Sequence, residues 1–296
     1  YLQVARGSSF GALAAAMERR GWVEHGVLLR AYGRLKGTSA RIQAGEYAVE
    51  PGLSAAELLD KMVRGDVVQH SVTVIEGWTF KQLRAALQAD PVLEQTLEGL
   101  SDTQVMAKLG HPDQHPEGRF LPETYLFPRG FSDLQLLRRA YGAMQRRLEA
   151  EWAAREKGLP IKTSYQALIL ASIIERESGV AAERPQIAGV FVRRLRKGMR
   201  LQTDPTVIYG MGDRYDGDIR YRDLRRDTPY NPYTRGGLPP TPIAMPSGEA
   251  IHAALHPQPG KTLYFVSRGD GSHVFSQTLQ EHNRAVRRYQ LNQGGE

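Results

Sequence analysis

The sequence of 296 residues contains no cysteine. Disulfide bonds, thiolate metal sites and cysteine nucleophiles are therefore all excluded, although the absence of cysteine does not decide the cellular compartment. The eight histidines also form no His-x-x-Glu-His motif of the kind that holds zinc on one face of a helix. We therefore expect neither a metal nor any other cofactor.

The sequence also lacks a long apolar run. No stretch of about 18 residues is apolar enough to span a bilayer, although a hydrophobic content of 41% and a charged content of 24% are typical of a folded protein with a sizeable core. The chain begins at Tyr1 and not at a methionine. We expect that an N-terminal signal or membrane anchor precedes it in the whole protein.

Charge of one sign is in modest excess, with a formal net charge of +7. The excess comes from arginines scattered along the chain, for example Arg138-Arg139, Arg225-Arg226 and those between Arg193 and Arg200. No recognisable DNA- or RNA-binding motif accompanies them, so we expect solvated helix faces and no nucleic-acid partner. A basic surface would also be attracted to anionic lipids or to a polyanionic polymer of the cell envelope.

Hydrophobic patterning divides the chain near residue 75. The first part, 1–75, has predicted helices at 8–20, 27–36 and 55–64 and predicted strands at 45–49 and 72–75. The second part, 76–296, has predicted helices at 80–88, 132–157, 184–197 and 279–289, and a predicted hairpin of 263–267 with 273–275. Residues 117–130 and 229–246 are rich in proline and predict ordered loops. The sequence therefore predicts an α+β fold: a small N-terminal α/β module followed by a larger mixed α+β domain.

The most informative segment is Ala171-Ser-Ile-Ile-Glu-Arg-Glu-Ser-Gly179, which ends an apolar helical run with two carboxylates. Thr163 or Ser164 offers an N-cap for this helix, and Gly179 favours its end. Glu177 continues the apolar stripe of Leu170 and Ile174, so we expect it to face a cleft.

A carboxyl at this position experiences opposing effects. Burial and the negative end of the helix both disfavour its charged form, whereas a nearby Arg176 would favour it. We expect the first two effects to prevail, which would keep the carboxyl protonated near neutral pH and make it a general acid. Glu175 remains the alternative, because two positions along a helix point to different sides and only one can face a substrate.

Several other residues are candidates for a site. Gln202, Thr203 and Asp204 precede a proline and are expected on a rigid loop that aims polar groups. Glu123 lies in a loop bounded by prolines, where it is either a second active-site carboxylate or, as we expect, a partner in a buried salt bridge. His273 follows the hairpin turn and is expected to have a structural or substrate-contacting role.

Taken together, a series of short segments resembles the endolytic murein transglycosylase family, the YceG-like or MltG proteins of the bacterial cell envelope. The resemblance covers nearly the whole chain, and the order and number of the segments make chance agreement improbable. The segments are Glu76-Gly-Trp-Thr79, Phe120-Leu-Pro-Glu-Thr-Tyr125, Ala171-Ser-Ile-Ile-Glu-Arg-Glu177, Gly198-Met-Arg-Leu-Gln-Thr-Asp-Pro-Thr-Val-Ile-Tyr-Gly210, Tyr230-Asn231, Gly237-Leu-Pro-Pro240, Tyr264-Phe-Val266, and His273 with His282-Asn283.

The resemblance implies a lytic transglycosylase, a lyase that cleaves the β-1,4 bond between N-acetylmuramic acid and N-acetylglucosamine inside glycan strands and leaves a 1,6-anhydro end. It implies a LysM-like module in residues 1–75 and a catalytic domain in residues 76–296. It further implies peptidoglycan synthases (penicillin-binding proteins) as partners, a role in cell wall organisation, and a single-pass anchor in the inner membrane with the catalytic part in the periplasm. The family's catalytic glutamate maps to the helix of Glu177.

Within that activity, five residues are candidates to orient the N-acetyl group and to stabilise the charge that develops at the anomeric carbon: Ser178, Gln202, Thr203, Tyr230 and Asn231. Two other functions stay open from the sequence. One is a non-catalytic scaffold that binds peptidoglycan and holds cell-wall synthases. The other is a muramidase in which water attacks the sugar, as in hydrolases with two carboxylates.

Overall fold

The computed structural model describes residues 1–38 and 41–291. These residues form two compact units. The first consists of Tyr1–Val72, Leu87–Thr96 and Thr124–Asp133, and the second of Thr73–Ala86, Leu97–Glu123 and the chain from Leu134 onward. Helices alternate with short paired strands along the chain, which confirms the mixed α+β class expected from the sequence.

The first unit begins with two helices between two strands. The elements are β1 (Leu2–Val4), α1 (Phe10–Arg19), α2 (Gly26–Leu35), β2 (Gly45–Tyr47) and α3 (Ala55–Arg64). Strands β1 and β2 are antiparallel, with Leu2 opposite Tyr47. Helix α3 has the bounds that the sequence predicts, because Ser54 forms a capping box at its start and Gly65 ends it in the left-handed conformation.

Strands β3 (Gln69–Thr73) and β4 (Thr124–Pro128) pair with each other. The prediction that 117–130 is a loop throughout is therefore wrong for β4. Tyr125 and Phe127 are buried, whereas Thr124 before them and Leu126 between them are exposed. This alternation is the period of a strand with one buried face, and the flanking prolines obscure it in the sequence.

The remaining elements are mostly helical. They are α4 (Phe80–Ala89), α5 (Asp102–Leu109), α6 (Asp133–Ala154), α7 (Ser164–Glu177), α8 (Arg184–Arg196), α9 (Asp204–Met211), α10 (Tyr221–Arg225), α11 (Gly248–Leu255), β5 (Tyr264–Ser267), β6 (His273–Ser276) and α12 (Leu279–Val286). The predicted hairpin is confirmed, since β5 and β6 pair antiparallel with Val266 opposite Val274. Within residues 1–38 and 41–291, no helix combines the length and the apolar character needed to cross a membrane.

Helix α7 is the central element of the second unit. Its N-cap is Thr163, whose hydroxyl accepts a hydrogen bond from the backbone N–H of Gln166 at 3.1 Å. Every residue from Ala167 to Glu175 is buried, because α8, α9 and α11 pack around the helix. The helix ends at Glu177, as the sequence predicts, and so carries its last side chain to the edge of the core.

One local prediction is wrong, and one helix was not predicted. Asp204 is not in a loop: it begins α9, and Pro205 is accommodated in the first turn, where its missing N–H has no partner to lose. Helix α11 was not predicted from the sequence at all. It begins after Ser247, whose hydroxyl accepts a hydrogen bond from the N–H of Ala250.

Candidate active site

An open groove of about 460 Å³ lies in the second unit at the C-terminal end of α7. Its walls come from α7, α8, the segment leading into α9, the β5–β6 hairpin and α12. A groove of this size suits a ligand of a few sugar rings or a drug-sized molecule. The polar residues that line it are Glu177, Arg194, Gln202, Asp204, Tyr233, Tyr264, Ser267, His273, His282, Asn283 and Gln290.

Glu177 enters this groove from the end of α7. Its carboxylate oxygen Oε1 accepts a short hydrogen bond from the hydroxyl of Thr203. The pKa of Glu177 is raised to about 7, mainly by burial and in part by the negative charge of Asp204, against the lowering effects of the Thr203 hydrogen bond and the charge of Arg194. A carboxyl with this pKa is present in both protonation states at neutral pH, so it can give a proton and later take one.

Glu175, the alternative carboxylate, is held on another side of α7. Its Oε1 accepts a hydrogen bond from Arg184 Nη2 at 2.8 Å, and its Oε2 accepts bonds from the N–H and the hydroxyl of Ser247 at 2.9 and 2.5 Å. The residue is only 9% exposed and does not line the groove. Its hydrogen bonds connect α7 to the starts of α8 and α11, which is a structural function.

Arg194 supports the segment that leads into α9. This residue is 7% exposed, which contradicts the expectation that the arginines between Arg193 and Arg200 lie on solvated faces. Its Nη1 donates to the carbonyl of Leu201 at 2.8 Å, and its Nε donates to the carbonyl of Leu263 at 2.7 Å. A further bond reaches the side chain of Gln202 at 3.3 Å. Arg194 therefore fixes the backbone on which Gln202 and Thr203 are placed.

Two of the three predicted residues around the start of α9 line the groove, and the third contacts Glu177. Gln202 has a φ of 54°, a left-handed conformation that is unfavourable for a residue with a side chain. Thr203 is buried below the groove and contacts Glu177. Asp204 lines the groove and accepts a hydrogen bond from the hydroxyl of Tyr233 at 2.5 Å. Burial, together with that hydrogen bond and the charge of Asp204, raises the pKa of Tyr233.

His273 also lines the groove, at the start of β6. Its Nδ1 lies 2.7 Å from Oε2 of Glu183, and its backbone N–H donates to the other oxygen of that carboxylate at 3.1 Å. The imidazole packs edge-on against Phe265. The glutamate orients the ring, which fits the structural or substrate-contacting role expected for His273.

Asn231 lies away from the groove and differs from its expected role. The residue is 1% exposed, and its Oδ1 accepts a bond from the N–H of Tyr233 at 2.9 Å. Its amide nitrogen donates to three backbone carbonyls, those of Asp223, Leu224 and Arg226. Its side chain is therefore used within the protein and holds the proline-rich segment in place.

Three further candidates are also outside the groove. The hydroxyl of Ser178 accepts a bond from Arg184 Nε at 3.3 Å. The hydroxyl of Tyr230 lies 2.8 Å from that of Thr241, and the Tyr230 ring packs against another tyrosine ring. Glu123 is exposed, so the buried salt bridge expected for it does not form. These positions stabilise the surroundings of the groove or face solvent.

The groove also contains residues that the chemistry of the sequence did not single out. Tyr264 and His282 stack with ring centroids 5.3 Å apart, and burial lowers the pKa of His282. Asn283 follows on the same helix. The signal was present in the sequence, because the segments Tyr264-Phe-Val266 and His282-Asn283 are among those that carry the resemblance, but their long separation along the chain hides their proximity to Glu177.

Glu177 is thus a half-buried carboxyl with a raised pKa that faces a polar and aromatic groove, and such a group can act as a general acid and base. Residues 2–288 match the YceG-like family. The chain therefore belongs to the YceG-like family.

Three relatives illustrate the similarity. The endolytic murein transglycosylase of Bacillus subtilis (strain 168) is 32% identical over 305 residues, which cover 97% of this chain and 84% of that protein. The endolytic murein transglycosylase of Streptococcus pneumoniae serotype 2 is 26% identical over 317 residues, and the chain spans 57% of its length. The crystal structure of a yceG-like protein from Listeria monocytogenes is 27% identical, with a TM-score of 0.60 over 96% of this chain and 98% of that one.

Proposed function

We propose that this protein cleaves murein glycan strands internally, as a lytic transglycosylase. The endolytic murein transglycosylases to which it is similar support the substrate and the reaction. The observation that carries the proposal is Glu177, a carboxyl with a pKa near 7 that lines an open groove. Such a group is poised for the proton transfers that cleavage of a glycosidic bond requires.

The proposed reaction uses Glu177 twice. First, its protonated carboxyl donates to the glycosidic oxygen while the bond from that oxygen to the anomeric carbon of the muramic residue breaks. The resulting carboxylate then takes the proton of the 6-hydroxyl of the same sugar. At the same time, the oxygen of that hydroxyl forms a bond to the anomeric carbon. The internal hydroxyl needs no second carboxylate, because its attack is intramolecular and is accelerated by proximity.

Thr203 and the groove walls support these steps. The Thr203 hydroxyl donates to Oε1 of Glu177, which leaves Oε2 to carry the proton. Gln202 and His273 are placed to bind the sugar substituents, and the Tyr264 ring offers an apolar face to a pyranose. Glu175 and Arg194 are positioning residues. The hydrogen bonds of Glu175 hold the end of α7 that carries Glu177, and those of Arg194 hold the segment that carries Gln202.

A muramidase is the second candidate function, and Asp204 is the observation that favours it. Asp204 lines the same groove as Glu177 and could act as nucleophile or base toward water, as in hydrolases with two carboxylates. Against this, the carboxylate of Asp204 is engaged by the hydroxyl of Tyr233 at 2.5 Å. A carboxylate in that bond is less available to attack a sugar.

We expect Asp204→Asn to retain strand cleavage within about tenfold of the wild type. The substitution removes the negative charge of Asp204, which raises the pKa of Glu177. The pH above which activity declines should therefore move downward. Initial rates on purified glycan strands, measured from about pH 5 to pH 9, test this. A loss as deep as that of a Glu177 variant would instead make Asp204 an essential second carboxylate and favour the muramidase.

We expect Thr203→Val to raise the pH above which activity declines by about one unit. The hydroxyl stabilises the charged form of Glu177, so its removal makes the carboxyl hold its proton to higher pH. The hydroxyl does not cap α9, so the isosteric change should leave that helix intact. Thr203→Ser, which keeps the hydroxyl, should show the pH profile of activity of the wild type. If Thr203→Val also shows the wild-type pH profile, Thr203 does not influence the titration of Glu177.

Further parts of the proposal concern the setting of the enzyme. Residues 1–75 would act as a LysM-like module that binds peptidoglycan; the order β1, α1, α2, β2 supports this. The catalytic part, from residue 76 onward, would work in the periplasm. A preceding helix would anchor it to the inner membrane, where it would act beside peptidoglycan synthases and limit glycan length.

Incubation of the purified protein with isolated glycan strands tests the proposed function. Shortened strands that end in 1,6-anhydro-muramic acid are expected, because the muramic hydroxyl replaces water as the attacking group. A non-catalytic scaffold would instead retain the strands on a pull-down resin and leave their length distribution unchanged. Chromatography with mass spectrometry distinguishes the two outcomes.

A further inference from the structure

A cluster of two histidines and one glutamate lies outside the groove, on the outer side of α11. His252 lies in the last turn of α11, His256 directly follows this helix, and Glu151 comes from the last turn of α6. One ligand atom of each residue lies within 4.8 Å of the others. None of the three lines the groove, and the proposed reaction does not use them.

The three side chains offer a donor set that divalent transition metals prefer. The imidazole rings of His252 and His256 stack with their centroids 4.1 Å apart, so a rotation of one ring can bring a nitrogen from each to a single ion. Two imidazole nitrogens with one carboxylate oxygen, completed by water, are typical ligands of zinc. We propose that His252, His256 and Glu151 form a Zn²⁺ site that connects α11 to α6.

Two of the ligands are already close to the required separation. Ligands at about 2.0–2.1 Å from a tetrahedral zinc ion lie roughly 3.4 Å apart. Nδ1 of His252 lies 2.9 Å from Oε2 of Glu151. The other oxygen of Glu151 lies 3.1 Å from Nε of Arg147, which orients the carboxylate and leaves Oε2 directed at the histidine.

His256 must rotate to complete the site, and its present contacts favour such a change. Its Nδ1 lies 3.1 Å from the carbonyl oxygen of His252, and its Nε2 lies 3.0 Å from that of Ala154. A neutral imidazole has one N–H and can donate to only one of these oxygens. The other nitrogen directs its lone pair at an acceptor, and coordination to a metal would give that lone pair a partner.

The position of the site suggests its role. Helix α11 begins at Ser247, which holds the Glu175 carboxylate at the end of α7. An ion at the other end of α11 would tie this short helix to α6. The expected effect is on the stability of the second unit, with no step of the reaction depending on the metal.

Calorimetric titration of the whole protein, dialysed first against a chelator, tests this inference. One saturable equivalent of Zn²⁺ and a melting temperature that rises with zinc concentration are expected. His252→Ala and His256→Ala should each weaken binding at least about tenfold, and alanine at position 252 is well tolerated within α11. His25→Ala, at an exposed histidine in the first unit, is the matched control and should bind as the wild type does. Mg²⁺ should not compete, because it prefers oxygen ligands.

Absence of saturable Zn²⁺ binding would overturn the proposal. Equal binding by the wild type, His252→Ala and His256→Ala would also overturn it, because the ion would then bind elsewhere. Strand cleavage should be the same before and after chelation. A zinc titration that shows no site therefore does not bear on the proposed function. A protein that fails to cleave strands can still be tested for zinc binding.

Discussion

Glu177→Gln is expected to reduce strand cleavage by about 10²–10⁴-fold. Glutamine has nearly the same shape as glutamate and can still accept a hydrogen bond from Thr203, but it cannot give and retake a proton. Both steps of the proposed reaction need that proton. Initial rates on purified glycan strands measure the loss, with chromatographic separation of the products.

The same variant provides its own control for folding. The pKa of Glu177 is about 7 in the folded protein against 4.5 for the free side chain, so the folded state binds the proton more tightly. The stability that this contributes is present below about pH 4.5 and is lost as the pH rises through about 7. Between about pH 5 and pH 8 the wild type should therefore lose about 2 kcal/mol of unfolding free energy relative to Glu177→Gln.

If Glu177→Gln is inactive and gains unfolding free energy relative to the wild type as the pH rises, Glu177 is a functional residue held in an unfavourable environment. Two outcomes count against the assignment. One is full activity in Glu177→Gln, and the other is a difference in unfolding free energy that does not change with pH.

Glu175→Ala is expected to destabilise the protein by about 3–5 kcal/mol. The substitution leaves the half-buried guanidinium of Arg184 without one of its carboxylate partners and the buried N–H of Ser247 without an acceptor. Uncompensated buried polar groups account for most of the loss. Urea denaturation, monitored by circular dichroism, gives the difference from the shift of the midpoint at constant slope.

The ion pair of Lys81 and Asp213 serves as the matched control. Its two side chains are 78% and 89% exposed, so Asp213→Ala should leave the unfolding free energy nearly unchanged. Glu175→Gln, which keeps the shape and one acceptor, should fall between the control and the alanine variant. A loss no larger than that of Asp213→Ala would show that Glu175 does not hold the starts of α8 and α11 in place.

Short-range patterns in the sequence were sufficient for the elements around Glu177. The apolar run before it, the N-cap at Thr163 and the glycine after it define α7, and the stripe of Leu170 and Ile174 placed Glu177 at a groove. These features depend on residues within a few turns of one another, and the burial of a helix on all sides follows from its composition.

Contacts between distant residues could not be predicted in this way. Arg194 appeared as one of many arginines on a helix, and only the carbonyls of Leu201 and Leu263 make it a buried support. Asn231 appeared as a polar residue among prolines, and the carbonyls around its amide make it structural. Helix α11 has only eight residues, and its polar face is limited to Glu249 and His252, because α7 and α8 pack against the rest of the helix.

Digestion of glycan strands in water enriched in heavy oxygen tests the central claim most directly, namely that one carboxyl moves the proton while the sugar's own hydroxyl attacks. The account predicts new muramic ends that contain no heavy oxygen and are lighter by one water than reducing ends. One heavy oxygen in each new end would show that water attacks, and would contradict the account.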